Sequence, residues 1–528
     1  MHPSERIFTR WPDTEGYCTP LSAEAGTSIG LRAASRSGSF IVDVRRWGSS
    51  APAWTTRARA ADHPVPEQAW ARGCGWPVTV EIPTDASWPS GLYEVAMRAD
   101  GAPGDRSTSQ AFFTLRPPAD TPKATAVLHL ATNTYNAYNQ WGGRCCYSGA
   151  THVSFERPLE RGYLRRPVDA SGFDGRITDT DGDPTHQRLI DYQYANDVPM
   201  WTNSAGWWNW ERRFVEWADR QGFDFDVVID ADLELDGLLD DYAVLLTVGH
   251  SEYWTRAMRD AADRFVDRGG RWAIFSGNTA FWQVRFDRPG QMTAYKGLAH
   301  QADPVRSTER HRELTTFWSD PSIAHPETTT TGLTFTRGGY HRVGFAVADG
   351  TGAHEIHAPD HWAFEGTGLG AGDLLGEGCY AVGYEVDGVS LEWVDGRPVP
   401  THEDSAPASL EILATAPARL MSITDDVCEA PPLLWEDTSP PGELEDLALA
   451  MFGDMSAQSV ARIAQGHAVM ATFTRGSGEV FNVGSADWAY GLDGDANIER
   501  VTANVLRRFG VEVTDRPGGS TVPRSSLG

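Results

Sequence analysis

Residues 243–286, AVLLTVGHSEYWTRAMRDAADRFVDRGGRWAIFSGNTAFWQVRF, constrain this chain more than any other stretch. An apolar run (Ala243 to Val248) leads into Gly249-His250-Ser251-Glu252-Tyr253-Trp254. A helical pattern follows, then Gly269-Gly270, then a second apolar run from Trp272 to Phe275 that ends in Ser276-Gly277-Asn278. Strand, polar loop, helix, glycine, strand is the pattern of one βαβ unit. In open α/β sheets ligands bind just beyond the carboxyl ends of the strands. Both strand ends here carry titratable or amide side chains, so chemistry is expected at them.

With 528 residues the chain exceeds one hydrophobic core, and two or three domains are expected. A net charge of −27 argues against nucleic acid or an anionic membrane as partner, because both reward Lys and Arg. No uncharged apolar run is long enough to span a bilayer, and no apolar leader follows Met1. The six cysteines (Cys18, Cys74, Cys145, Cys146, Cys379, Cys428) lack zinc spacing. A reduced, cytoplasmic chain is the expectation, with a Cys18–Cys74 pairing left open.

Residues 1–15 are taken as an extension and 16–117 as an all-β unit. Strands are expected at Thr27 to Ala33, Phe40 to Arg46, Val78 to Ile82, after Trp88-Pro89-Ser90-Gly91, and at Ser109 to Leu115. Short strands at this spacing predict a β-sandwich of immunoglobulin-like type. A Pro-rich linker, 118–122, precedes an α/β domain over 123–513. Its first strand is at Ala124 to Ala131, with a helix in 207–221, a strand at Phe223 to Ile229, the βαβ unit, a strand at Glu479 to Val483 and a helix at Ile498 to Phe509. Repeated alternation predicts a mostly parallel, doubly wound sheet, Rossmann- or glutamine-amidotransferase-like. Short β runs and Gly-rich turns between about 295 and 421 are expected to form a β-rich insertion, and 514–528 a disordered tail.

Three loops gather candidate chemistry. The loop after the first α/β strand holds Asn133, Tyr138, Asn139, Trp141 and Arg144; amides orient polar ligands, and an Arg can clamp a carboxylate. In the second, alternation lets His250 and Glu252 converge while Ser251 and Tyr253 point away. Ser251 or Thr255 is expected to cap the following helix. Asn278 and Trp282 mark the third. His250 or Glu252 would be general base, and Asn278, Asn139 and Arg144 would orient substrate or polarise its carbonyl. Asp179-Thr180-Asp181-Gly182-Asp183 misses the calcium-loop register and is expected to be a solvated turn. His354, His357 and His361 are interrupted by Pro359, which defeats helical zinc spacing. Glu385 and Asp387 share a strand face, as a site or as a turn-stabilising pair. The tryptophans between 201 and 217 are expected to be helix packing.

TYNAYNQWGGR (134–144), GHSEYW (249–254), GGRWAIFSGNTAFWQVRF (269–286), VGYEVDG (382–388) and EVFNVGSADWAYGL (479–492) together resemble the large (β) subunit of N,N-dimethylformamidase and its relatives. The resemblance implies hydrolysis of a carbon–nitrogen bond in a small amide at a mononuclear iron held by two tyrosines and a glutamate. Carried onto this chain, Tyr253 is the matching phenol and Glu313 the nearest glutamate, with Glu309 and Glu252 behind it. Phe281 stands where an aromatic that is often Tyr is expected, and the helix around Trp210-Glu211 also lacks one. The catalytic candidates are His250, Glu252, Tyr253 and Asn278, with Tyr253, through the resemblance, as metal ligand or acid. The resemblance also implies a small-molecule substrate and either a homo-oligomer or a small partner subunit. Two other readings stand beside it: a binding or scaffold protein that keeps the fold with a degraded site, and a hydrolase using Cys145 or Cys146 as nucleophile.

Overall fold

The computed structural model describes residues 13–100, 108–168, 172–176, 187–341, 350–422 and 442–514. Eight strands come first: β1 (Thr14–Thr19), β2 (Ser22–Glu24), β3 (Ile29–Ser35), β4 (Ser39–Arg46), β5 (Trp54–Arg59), β6 (Val78–Ile82), β7 (Gly91–Ala99) and β8 (Thr108–Arg116). They form a three-stranded sheet, β1–β3–β6, and a five-stranded sheet, β2–β8–β7–β4–β5. In β4 the alternation Phe40, Val42, Val44 faces inward, as a half-buried strand requires. These residues share one apolar cluster with Ile29, Leu31, Val95 and Phe113 from both sheets. Cys18 and Cys74 are free thiols. The expected 1–15 extension needs correcting, because β1 already occupies Thr14 onward.

The second unit is built on a nine-stranded sheet, ordered β11–β9–β12–β14–β25–β24–β23–β18–β19. Its strands are β9 (Ala126–Leu130), β11 (Asp226–Ile229), β12 (Val244–His250), β14 (Arg271–Gly277), β18 (His354–Ile356), β19 (Leu374–Leu375), β23 (Glu411–Ala418), β24 (Gly466–Arg475) and β25 (Gly478–Asn482). Only β11, β9, β12, β14 and β25 run parallel. The β24–β25 hairpin reverses the direction, and the remaining pairings are antiparallel. The sheet is therefore mixed rather than mostly parallel. The stretch 295–421 is no self-contained insertion, since β18, β19 and β23 extend the main sheet.

Side-chain alternation explains the unbroken apolar runs. Leu128, Leu130, Leu246, Val248, Ala273 and Phe275 enter one cluster, while Val127, Val228, Leu245, Trp272 and Ile274 enter another. A parallel sheet covered on both faces needs apolar residues at every position. The first face is covered by α2 (Glu211–Gln221) and α5 (Ala496–Phe509), the second by α3 (Arg256–Asp267). Helix α3 starts at Thr255, whose hydroxyl accepts the Met258 N–H at 3.2 Å; Ser251 is not its cap. The expected run at 133–144 is partly helical, with α1 (Thr132–Tyr138) leading into a turn.

The amino-terminal sheets are not a loosely tethered module. Trp47, Leu92 and Phe112 enter the same apolar cluster as Leu128 and Phe214. Trp47 Nε1 donates to Glu216 at 3.0 Å, and Trp141 Nε1 donates to Glu15 at 3.1 Å.

Short strands complete the surroundings of the site. β10 (His152–Ser154), β16 (Gln291–Thr293), β15 (Trp282–Arg288) and β13 (Tyr253–Thr255) form a four-stranded sheet, in which Tyr253 pairs with Trp282. β17 (Thr334–Gly339) pairs with β20 (Val386–Gly388), and β21 (Leu391–Val394) with β22 (Arg397–Pro400). Parallel pairing of β12 with β14 sets His250 opposite Gly277. A Cβ at Gly277 would meet Ala486 N at 2.4 Å, Glu385 O at 2.5 Å and Ser485 C at 2.8 Å. Absence of a side chain at this strand end is what lets the 385 and 485 backbones close over it. We expect Gly277→Ala to destabilise the protein by about 1–3 kcal/mol in urea unfolding. Gly297→Ala, where a Cβ meets nothing within 4 Å, should leave the midpoint unchanged.

Candidate functional site

His250, Glu252 and Asn278 meet beyond the ends of β12 and β14, and Glu385 joins them from the residue before β20. His250 Nε2 lies 2.6 Å from Glu385 Oε2 and 3.4 Å from Glu252 Oε2. Its Nδ1–H donates to the Ser204 carbonyl at 2.7 Å, which fixes the ring. Asn278 Nδ2 donates to Glu385 Oε2 at 2.9 Å and lies 3.2 Å from His250 Nε2. Burial alone would lower the His250 pKa, but Glu385 first and Glu252 next outweigh it and hold it at about 9. Burial also raises the Glu252 carboxyl, with His250 opposing. All four side chains are buried. Asn278 and nearby Ala280 adopt left-handed backbone, φ 50° and 57°, a strain that non-glycine residues hold only when the surroundings impose it.

Three phenols adjoin this group. Tyr147 Oη donates to Glu252 at 2.7 Å and 3.0 Å from its two oxygens, and Tyr253 Oη donates to Tyr147 Oη at 2.9 Å. The Tyr138 ring stacks on Tyr147 at 4.2 Å between centroids and lies 5.8 Å from the His250 ring. Burial first, and Glu252 next, push all three phenols well above their ordinary range. Tyr138 and Tyr253 are buried, whereas Tyr147, Trp201, Trp282, Lys296, Tyr384 and Glu443 keep part of their surface open. Glu443 begins α4 (Glu443–Phe452), whose Leu444, Leu447 and Ala448 pack with Phe281 and Tyr340.

The candidates from sequence divide clearly. His250, Glu252, Tyr253, Asn278, Tyr138 and Trp282 lie in or against this cluster. Asn133 instead ties backbone together, donating from Nδ2 to Tyr253 O and from its N–H to Asp230. Asn139 donates to Pro158 O and accepts from the Trp141 and Glu160 N–H groups. Trp141 points to the amino-terminal sheets, and Arg144 is exposed beside Trp70. The described contacts of Asn139, Trp141 and Arg144 are with Pro158, Glu160, Glu15 and Trp70 rather than with the His250 group.

Glu313 lies on a short 3₁₀ turn where Arg310 engages its carboxylate at 2.7 Å and 3.1 Å, so it does not join Tyr253. Glu309 is exposed. Phe281 packs against Phe317 and Phe335, and the phenols come from positions 138 and 147. His354 Nε2–H donates to the Val483 carbonyl and His357 meets Thr415, so these histidines are held by separate partners. Cys145 and Cys146 are buried with pKa values raised to about 11 and about 12, chiefly by burial, which suppresses nucleophilic thiolate. Ser251 faces the other way, accepting from Trp254 Nε1 at 3.0 Å. The Asp179–Asp183 turn lies outside the described residues.

Sequence reasoning missed Tyr147 and Lys296 as site residues and left Glu385 undecided. Tyr147 follows the Cys145-Cys146 pair, which drew attention as thiols. VGYEVDG already placed Glu385 on a strand-like segment, but only the fold brings it to His250.

The structure thus defines a mixed α/β protein with a buried phenol–carboxylate–imidazole site at its strand ends. Residues 39–502 match the family described as N,N-dimethylformamidase beta subunit-like, C-terminal, and the chain belongs to that family. It is 28% identical over 257 residues to the N,N-dimethylformamidase beta subunit of Paracoccus aminophilus, covering 45% of this chain and 32% of that protein. It is 27% identical over 252 residues to the beta subunit from Alcaligenes sp, with the same coverage of 45% and 32%. The matches span about a third of the length of those relatives.

A buried acid supports the turn after α1. Glu160 accepts from the Gln140 N–H, and burial lifts its carboxyl from 4.5 to about 8 against the pull of Arg157. A carboxyl raised on folding binds more protons folded than unfolded, so it erodes stability as pH climbs from 4.5 through about 8. Glu160→Gln should therefore gain stability relative to wild type across that window in urea titrations. Below it the two curves should run in parallel.

Proposed function

We propose that this protein hydrolyses the carbon–nitrogen bond of a small amide at the His250–Glu385–Asn278 group, beside the half-buried rings of Tyr147, Trp282 and Tyr384. The observation that carries the reading is the joining of Tyr147 and Glu252 to the His250–Glu385–Asn278 group at the ends of β12 and β14. Family membership supports it at the level of amide hydrolysis. The arrangement at the strand ends also suits the doubly wound α/β reading, with the amino-terminal sheets as an immunoglobulin-like sandwich. A partner subunit and a cytoplasmic setting belong to the same proposal; among the described residues no helix is long and apolar enough to cross a membrane.

The chain's own residues divide the work as follows. Glu385 Oε2 takes a proton from the attacking water. His250, cationic at neutral pH, holds a proton at Nε2 that can pass to the departing amine nitrogen. Asn278 Oδ1 is buried and without a partner among the described residues, so the amide can orient the substrate. Asn278, His250 and Glu385 form one hydrogen-bonded unit, so loss of any member disturbs all three.

The donors fit a hard, oxidised cation. Among the described residues no group of three His, Cys, Asp or Glu side chains could hold a metal ion, so a metal here would need phenol ligands. Tyr147 and Glu252 already touch, and Tyr138 stacks on Tyr147 from the His250 side; these three would hold iron. Tyr253, one hydrogen bond further out, would support Tyr147. Bound iron would supply Lewis acidity toward a carbonyl and toward water.

Wild-type protein loaded with ferric ion should show a visible tyrosinate-to-iron absorbance and turn over simple amides. Tyr147→Phe and Glu252→Gln should lose the band, while Tyr253→Phe retains it. Colourless, metal-free protein with full amide activity would remove iron from the reading.

A further inference from the structure

Lys296 is half-buried beside the site, near the carboxylates of Glu252, Glu385 and Glu443 but with no direct hydrogen bond or ion pair at its ammonium among the described residues. Its Nζ lies 3.4 Å from the ring centroid of Tyr147, 4.9 Å from that of Trp282 and 5.9 Å from that of Tyr253. Among the described residues no hydrogen-bond acceptor or ion-pair partner reaches Nζ. An ammonium has three donors and no acceptor, and a ring face satisfies none of them fully. Glu252, the nearest carboxylate in the hydrogen-bond chain, accepts from the Tyr147 hydroxyl and lies 3.4 Å from His250 Nε2.

The backbone is arranged to present this side chain. Lys296 has φ 55°, left-handed for a non-glycine residue, and its N–H is pinned to Thr315 O at 2.8 Å. Thr315 is held in turn by Asp303, which accepts from its N–H at 3.0 Å and from its hydroxyl at 2.9 Å. The turn thus fixes a strained residue whose half-buried ammonium lies against the rings of Tyr147 and Trp282.

We propose that Lys296 binds a carboxylate beside the Tyr147 and Trp282 rings. This rests on the amide-hydrolase reading of the same site. One ammonium between Glu252, Glu385 and Glu443 suits a singly charged, planar anion and disfavours a phosphate dianion, which those acids would repel. The carboxylate has two sources in amide hydrolysis: a substituent carried by the substrate, or the acid released from its acyl half. In the first case the preferred substrates are acyl derivatives of amino acids rather than neutral amides.

Three proteins decide it: wild type, Lys296→Met and Lys296→Arg, each checked by circular dichroism for native folding. They are compared on N-acetylglycine and N-methylacetamide, with acetate binding followed by calorimetry. A charged hydrogen bond lost on substitution corresponds to about 10- to 100-fold. If the substrate supplies the carboxylate, the kcat/KM ratio of N-acetylglycine to N-methylacetamide is high in wild type. It then falls by that factor in Lys296→Met and is largely restored in Lys296→Arg. If the product supplies it, the ratio stays flat while acetate binding weakens by the same factor in Lys296→Met. An unchanged ratio together with unchanged acetate binding overturns the proposal. Should wild type hydrolyse neither amide, the hydrolase reading fails, while the acetate titrations still decide the role of Lys296.

Discussion

The contact between His250 and Glu385, 2.6 Å long and sealed from water, is the constraint on which the rest of the site depends. Breaking one partner of a buried ionic pair leaves an uncompensated charge and costs several kcal/mol, so both segments are locked in place. His250 is carried by β12 and oriented by Ser204. Glu385 arrives on a different segment, more than a hundred residues later, over the glycine at 277. Asn278 bridges the two, and its left-handed backbone is held by the same closure. Glu252 then follows from the short turn after β12, Tyr138 from the end of α1 and Tyr147 from the turn beyond it.

Much of this was legible in the sequence because it is local. The βαβ unit follows from runs buried on both faces, and the strand expected at Val78 to Ile82 is β6. What was not legible is long-range closure. Nothing in residues 133–144 announces that Arg157 will collect the carbonyls of Asn136, Asn139 and Trp141 and turn these amides into scaffold. Tyr147 sits beside two cysteines, and Glu313 sits in a charged segment; only the fold brings the first to Glu252 and leaves the second with Arg310.

The same closure explains why the 295–421 region was misread. Its short, Gly-rich strands look like a separate β insertion, yet β23 pairs with β24 along most of its length and carries the sheet onward. VGYEVDG is therefore delivered against the ends of β12 and β14. At the other end, Trp141 and Glu15 connect the turn after α1 to the amino-terminal sheets, so that unit bears on the site through α1.

A double-mutant cycle on His250 and Glu385 tests the central claim most directly, with kcat/KM measured on a small neutral amide. If the two act as one unit, His250→Gln and Glu385→Gln each lose about 100-fold or more, and the double variant is scarcely worse than either. Additive losses, or a single variant close to wild type, would contradict the account.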